Sequence, residues 1–398
     1  QGDVGSGKTV VAALAALSAL STGYQVALMA PTELLAEQHA KNFSQWLGAL
    51  DQKVAFLAGK SRSQERKESL EAIRTGSVGM VIGTHALFQD TVEFHQLGLI
   101  IIDEQHRFGV HQRLNLLEKG KRSGLYPHQL VMTATPIPRT LAMLSYADLE
   151  LSVIDERPPG RTPVKTTVLS SDKRETVIER IADWVNRGRQ VYWVCTLIEE
   201  SEVLQAEAAE QSAERLKALL GGIRIQLIHG RLKSDEKESI MEAFKQGQID
   251  VLVATTVIEV GVDVPNASLM VIENSERLGL SQLHQLRGRV GRGPGEAHCV
   301  LLYQTPLSQN ARERLAILRE SDDGFLIAEK DLALRGPGEF LGTRQTGQAG
   351  FRVADLARDG HLIDEVHSVA EEISKTQKAL VPQLIHRWLG ASIQYIGA

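Results

Sequence analysis

Gly2 to Thr9 read GDVGSGKT, the spacing G-x-x-x-x-G-K-[ST] of a phosphate-cradling loop. Backbone amides of Gly2, Asp3, Val4, Gly5, Ser6 and Gly7 would surround the anion, and Gly5 and Gly7 let the chain come close to it. Lys8 would reach the terminal phosphates of a nucleotide and Thr9 would ligate Mg²⁺. Downstream, LGLIIIDEQHRFG reads as a buried strand that delivers Asp103 and Glu104 at its carboxyl end, the edge where open α/β sheets bind ligands. Asp103 is the metal ligand and Glu104 the general base that activates water, whereas the pair taken alone also reads as two solvated acids. His106, just beyond, is either a sensor of nucleotide state or a core histidine. Thr32, Thr84 and Thr256 each follow an apolar strand, where a hydroxyl suits phosphate tracking along a nucleic acid without base readout; an ordinary N-cap explains each equally.

Holding these groups together requires a sheet, and the chain alternates accordingly. After the loop come helical VVAALAALSAL, which reads as a buried helix, strand QVALMAP, helical LAEQHAKNFSQWL, strand KVAFLAG, helical SQERKESLEAIRTG, and strands VGMVIGT, LGLIIIDE and QLVMTAT. Short apolar strands alternating with helices predict a parallel sheet covered on both faces. The proline-rich run DERPPGRTP fits neither period and reads as a linker. A second alternating series follows, from VKTTVL to ASLMVIE, without a phosphate loop. From about Ser308 the pattern is mainly helical, broken by LRGPGEFLGTRQTG and closed by a helix near LIDEVHSVAEEISKT. The predicted fold class is therefore α/β, with two parallel-sheet domains and a mainly helical C-terminal appendage. The boundaries fall at 1–154, a linker at 155–164, 165–307, and 308–398.

Composition bounds the function classes. No apolar run approaches the roughly 18 residues that span a bilayer, and no leader is visible, so a cytoplasmic protein is expected. Cys195 and Cys299 lie in apolar strand-like runs and read as buried thiols, not as a redox or metal-cluster site. A net charge of −5 neither supports nor excludes a polyanionic partner, which would have to be held locally.

GDVGSGKT, PTELLAEQH, DEQH, TATPIPRT, TTVIEVGVDVPNA and QLHQLRGRVGRG, in this order, resemble motifs I, Ia, II, III, V and VI of superfamily 2 helicases. DEQHRFGVHQR, ERPPGRTPV and IENSERLGLSQLHQLRGRVGRG narrow the likeness to the RecG family of branched-DNA helicases. LRGPGEFLGTRQTG is similar to the translocation motif which that family shares with transcription-repair coupling factors. The resemblance implies tandem RecA-like domains of the P-loop NTPase type and an ATP- and Mg²⁺-dependent motor. That motor would be a monomer acting on branched or duplex DNA in recombination and repair, with no membrane partner. It implies that Arg289 and Arg292 stabilise charge on the transferring phosphate, their spacing placing both on one helix face. It further implies that Thr133 and Thr135 relay nucleotide state, that Asp263 lies near the nucleotide, and that Arg335, Glu339 and Gln345 belong to a lever turning domain closure into movement. A basic solvated face, a polar strand end and a surface loop are the respective alternatives. Arg287 is left as structural or DNA-facing. A coupling-factor translocase and an inactive DNA-clamping pseudo-motor are the rival readings.

A phosphate loop normally follows a strand, and here none precedes Gly2. The chain therefore reads as a fragment cut inside motif I, without the wedge domain that RecG proteins carry upstream. The expected consequence is a gap at the centre of the first sheet, a loosened first domain and little ATPase for this chain alone.

Overall fold

The structure is a computed structural model that describes residues 1–57, 63–104, 108, 116–121, 124–134, 149–156, 162–196, 202–255, 264–293, 295–335 and 356–389. The first sheet is built from β1 (Gln25–Met29), β2 (Val54–Leu57), β3 (Met80–Gly83), β4 (Leu97–Asp103) and β5 (His128–Met132), in the order β2-β3-β1-β4-β5. Every pairing is parallel. Central β1 is buried throughout, and its side chains alternate between two cores. Val26 and Leu28 face the cluster built on helices α1 (Lys8–Ser21) and α2 (Glu33–Gly48), whereas Ala27 and Met29 face the one that holds Ile73 of α3 (Ser63–Thr75). Burial on both faces is why the strand reads as an unbroken apolar run. Burying Val26, Leu28 or Met29 contributes roughly 1.5–3 kcal/mol each.

The second sheet repeats the plan with six parallel strands: β6 (Val164–Ser170), β7 (Gln190–Val194), β8 (Ile225–Ile228), β9 (Val251–Ala254), β10 (Ala267–Ile272) and β11 (Ala297–Tyr303), ordered β6-β11-β10-β7-β9-β8. Tyr192 and Val194 of β7 point to one core, Val191 and Trp193 to the other. Helices α4 (Arg174–Asn186), α5 (Glu202–Leu219), α6 (Ser234–Lys245) and α7 (Leu280–Arg287) cover this sheet, and Leu315, Leu318 and Ile327 of α8 (Gln309–Glu320) and α9 (Gly324–Arg335) share its core. After a short helical turn at Leu356–Asp359 come the longer helices α10 (Ile363–Thr376) and α11 (Val381–Leu389). The predicted class, two parallel-sheet α/β domains followed by helices, is the observed one. No helix among the described residues is long and apolar enough to cross a membrane.

Two expectations change. Helix α1 is buried on one face only: Ala12 and Ala16 are fully covered while Val10, Val11 and Leu14 are 49–64% exposed. Small Ala12 and Ala16 bring this helix close to the sheet, and its other apolar side faces outward. The five strands of the first sheet also run without a central gap. Gly2 lies past β5, donating to the Thr133 carbonyl at 3.4 Å, and Gln1 and Gly2 pair on their other side with Ile154.

Candidate active site

The loop before α1 has the backbone its glycines predict. Gly7 caps the helix at φ 98° and Gly5 sits at φ 80°, both in the region where a side chain would be strained. Gly2 is held by contact instead, since a Cβ there would lie 2.6 Å from Ser6 Oγ. Lys8 Nζ folds back to the carbonyls of Gly2 and Asp3, at 2.7 and 2.8 Å. Burial holds this ammonium below its usual value; the nearby carboxylates of Glu104, Asp103 and Asp3 oppose that shift, and Arg289 adds to it. Ser6 Oγ is buried without a hydrogen-bond partner, an unmet polar atom in the cradle itself.

Asp103 closes β4 with 9% of its surface exposed. Its Oδ2 lies 2.8 Å from Nε2 of His39, itself 4% exposed on α2. Glu104 turns into the left-handed region at φ 51°, a conformation that costs a non-glycine residue about 1–3 kcal/mol. That turn brings its carboxylate to the next strand end, where Oε2 accepts from Thr133 Oγ1 at 3.2 Å and Oε1 from the Ala134 amide at 3.3 Å. Burial, and then the Asp103 charge, raise Glu104 above the ordinary carboxylate range, while Lys8 and these two donors pull it down. Among the described residues no three His, Cys, Asp or Glu side chains form a metal cage. The available set is the Thr9 hydroxyl and the Asp103 oxygen not taken by His39. These are hard oxygen donors, which suit Mg²⁺ carried in largely by phosphates.

The second domain closes over this loop. His284 Nε2 of α7 lies 3.3 Å from Asp3 Oδ1. A Cβ on Gly288 would stand 3.3 Å from Val4 Cγ2, so backbone packs against the loop here. Arg289 and Arg292 do not share a helix face as their spacing predicted. The helix ends at Arg287, Gly288 caps it, and Gly291 turns at φ 77°, because three glycines within 288–293 cannot sustain a helix. Arg289 leaves this turn 8% exposed and within electrostatic reach of Lys8, and Arg292 Nε donates to the Gly288 carbonyl at 3.2 Å. Arg287 is structural: 4% exposed, it donates to the carbonyls of Leu318 and Ser321 at 2.8 and 2.7 Å.

Thr32 is the N-cap of α2, accepting from the Leu35 amide at 3.4 Å. Thr84 is 3% exposed with its hydroxyl buried, so it offers no surface hydroxyl for phosphate tracking. His106, Thr135, Thr256, Asp263, Glu339 and Gln345 lie outside the described residues, and Arg335 is described only as the last residue of α9. Both cysteines are free and buried, and burial pushes the Cys299 thiol up to about 12.

Sequence reasoning missed His39, His284 and the Glu37 and Glu238 carboxyls, which face each other between α2 and α6. A signal for His39 was present. It is a polar residue in the buried stripe Leu35, Ala36, His39, Phe43, Leu47, where a side chain of that kind needs a partner.

Comparison with known proteins gives three family matches in chain order: "DEAD/DEAH box helicase" at 1–144, "Helicase conserved C-terminal domain" at 172–294, and "ATP-dependent DNA helicase RecG, domain 3, C-terminal" at 321–388. The ATP-dependent DNA helicase RecG of Escherichia coli (strain K12) is 61% identical over all of this chain, which covers 58% of that protein. The RecG of Pasteurella multocida is 63% identical over 98% of this chain, which covers 56% of it. The chain thus spans little more than half the length of these relatives. A solved structure of RecG bound to a three-way DNA junction superposes with TM-score 0.72 at 45% identity, covering 92% of this chain and 47% of that one.

Proposed function

We propose that this chain, 61% identical along its whole length to a RecG helicase and matched at 321–388 by the RecG-specific model, is the motor of an enzyme of the RecG family, using ATP hydrolysis to translocate on DNA and remodel branched substrates. The observation that carries this reading is the convergence of Lys8, Asp103, Glu104 and Arg289 at one seam between two RecA-like domains. The RecG-specific match at 321–388 favours it over a coupling-factor translocase. The domain limits we propose are 1–154, 165–307 and 308–398 around the 155–164 linker, with β6 already opening at Val164 and α8 and α9 of the last part packed into the second domain's core, in a monomeric cytoplasmic protein.

The residues act as follows. The amides of Gly2 through Thr9 and the positive end of α1 bind the phosphates. Lys8, now held by the Gly2 and Asp3 carbonyls, would turn to the terminal phosphates, and Thr9 and Asp103 would hold Mg²⁺, which would supply charge neutralisation on the transferring group. Glu104 accepts a proton from the attacking water, its raised affinity for that proton already set by burial and Asp103. Arg289 and Arg292 stabilise charge on the transferring phosphate from the second domain. Thr133, at the end of β5, senses through its hydroxyl whether Glu104 is engaged, with His106, Thr135 and Asp263 completing the nucleotide side. Thr32 and Thr256 meet the DNA backbone, and Arg335, Glu339 and Gln345 form the lever that converts closure into movement.

The test is DNA-stimulated phosphate release by the full-length protein. Lys8→Ala should abolish turnover with the fold intact, and Glu104→Gln should keep nucleotide binding while stopping hydrolysis. Turnover unchanged in both variants would sink the site assignment.

A further inference from the structure

We propose that His39 is a positioning residue for the nucleotide's divalent cation: its Nε2–H holds Asp103 Oδ2 and leaves Oδ1 for the metal. The inference rests on the reading of Asp103 as the cation's ligand. Its own ground is the geometry between a histidine that ends one of these motifs and an aspartate that opens another. His39 and Asp103 lie 64 residues apart in the chain, on different elements, and both are buried. Nε2 stands 2.8 Å from Oδ2, and Nδ1 is buried with no partner. A carboxylate oxygen accepts, so in this pair Nε2–H of the imidazole donates to Asp103 Oδ2. An imidazole in the apolar stripe of α2 with one nitrogen unmet is a costly choice for packing alone. It is an economical one for fixing which oxygen of an aspartate faces a ligand. A carboxylate free to rotate would present either oxygen, or both, and would lose entropy on binding metal. One tethered through Oδ2 is already oriented.

The placement also couples α2 to the metal. The same helix begins at the Thr32 cap and touches α6 of the second domain through Glu37. A rigid shift of α2 therefore reaches Asp103 through a single hydrogen bond.

The experiment uses the full-length protein, ADP and Mn²⁺ as the probe, with metal affinity read from the Mn²⁺ paramagnetic signal. ADP affinity in excess chelator is measured beside it. His39→Leu should weaken Mn²⁺ by roughly 10–100-fold, the usual cost of losing a partner behind a metal ligand, and leave metal-free ADP binding unchanged. His39→Gln, whose amide nitrogen can take the place of Nε2, should recover most of that affinity, and His39→Asn, which stops short of Asp103, should not. Mn²⁺ affinity unchanged in His39→Leu, or an equal loss of metal-free ADP binding, would overturn the proposal. If His39→Leu does not fold, equal Mn²⁺ affinities in the Gln and Asn variants would overturn it as well. Asp103→Asn separates this failure from that of the underlying reading: if it too leaves Mn²⁺ affinity untouched, Asp103 is not the ligand.

Discussion

Arg287, Arg289 and Arg292 crowd one glycine-rich run, yet their surroundings divide their work. The Arg287 guanidinium donates to the Leu318 and Ser321 carbonyls, a link between α7 and the C-terminal end of α8. Arg287→Ala should leave those acceptors unmet at about 1–3 kcal/mol each, a sizeable part of a domain's stability. Calorimetry or chemical denaturation would register it as a lower melting point for the second domain. Arg289 sits beside Lys8 across the seam, and its replacement by Ala should lower kcat by roughly 10³-fold or more with little change in melting point. A reversed pattern, in which Arg289→Ala unfolds the domain and Arg287→Ala leaves it stable but slow, would exchange the two roles.

Helix α2 joins more of the molecule than its length suggests. Its buried stripe packs on the first sheet, its first turn places Leu34 against the core of the second domain, and Glu37 meets Glu238 on α6. Burial raises Glu37 to about 7, and the neighbouring Glu238, Glu33 and Asp235 push the same way. An acid raised in the closed arrangement binds a proton there that it would release if the domains parted. Closure is thus favoured while Glu37 is protonated and loses that contribution as pH rises through about 7. We predict that interdomain distances, followed by fluorescence transfer between labels on the two domains, lengthen from pH 6 to pH 8 in the nucleotide-free protein. Glu37→Gln should flatten the profile. A slope that survives this substitution would point to other groups.

For the molecule as a whole, burial sets a stability order among the strands. β1, β7 and β10 are buried at every position, whereas β5 is exposed or half-buried from His128 to Val131. Backbone amides of β1, β7 and β10 should therefore exchange slowest, and those of β5 and the loop from Gln1 to Gly7 much faster. In the first domain this order places the fast-exchanging backbone at the loop and β5, on a described sheet whose five strands run without a gap. Hydrogen exchange decides this: β1 exchanging as fast as β5 would overturn the order.

The strands and their parallel arrangement were legible in the linear order because a strand covered on both faces must be apolar at nearly every position, as VALM and LIIID are. The nucleotide loop was legible for a different reason. Its chemistry is local, made by amides and glycines within eight consecutive residues, and Gly5 and Gly7 adopt the positive φ that their identity foretold. Glu104 was recognisable as an acid at a strand end, but its left-handed turn toward Thr133 comes from the pairing of β4 with β5. The misjudged feature was Arg289 and Arg292 on one helix face, since spacing says nothing of where glycines end a helix. His39 with Asp103, His284 with Asp3 and Glu37 with Glu238 were beyond reach for a shared reason. A polar residue within an apolar stripe announces that it needs a partner. Which partner it finds depends on how helices dock on the sheet and how one domain closes on the other, and those contacts join positions far apart in the chain.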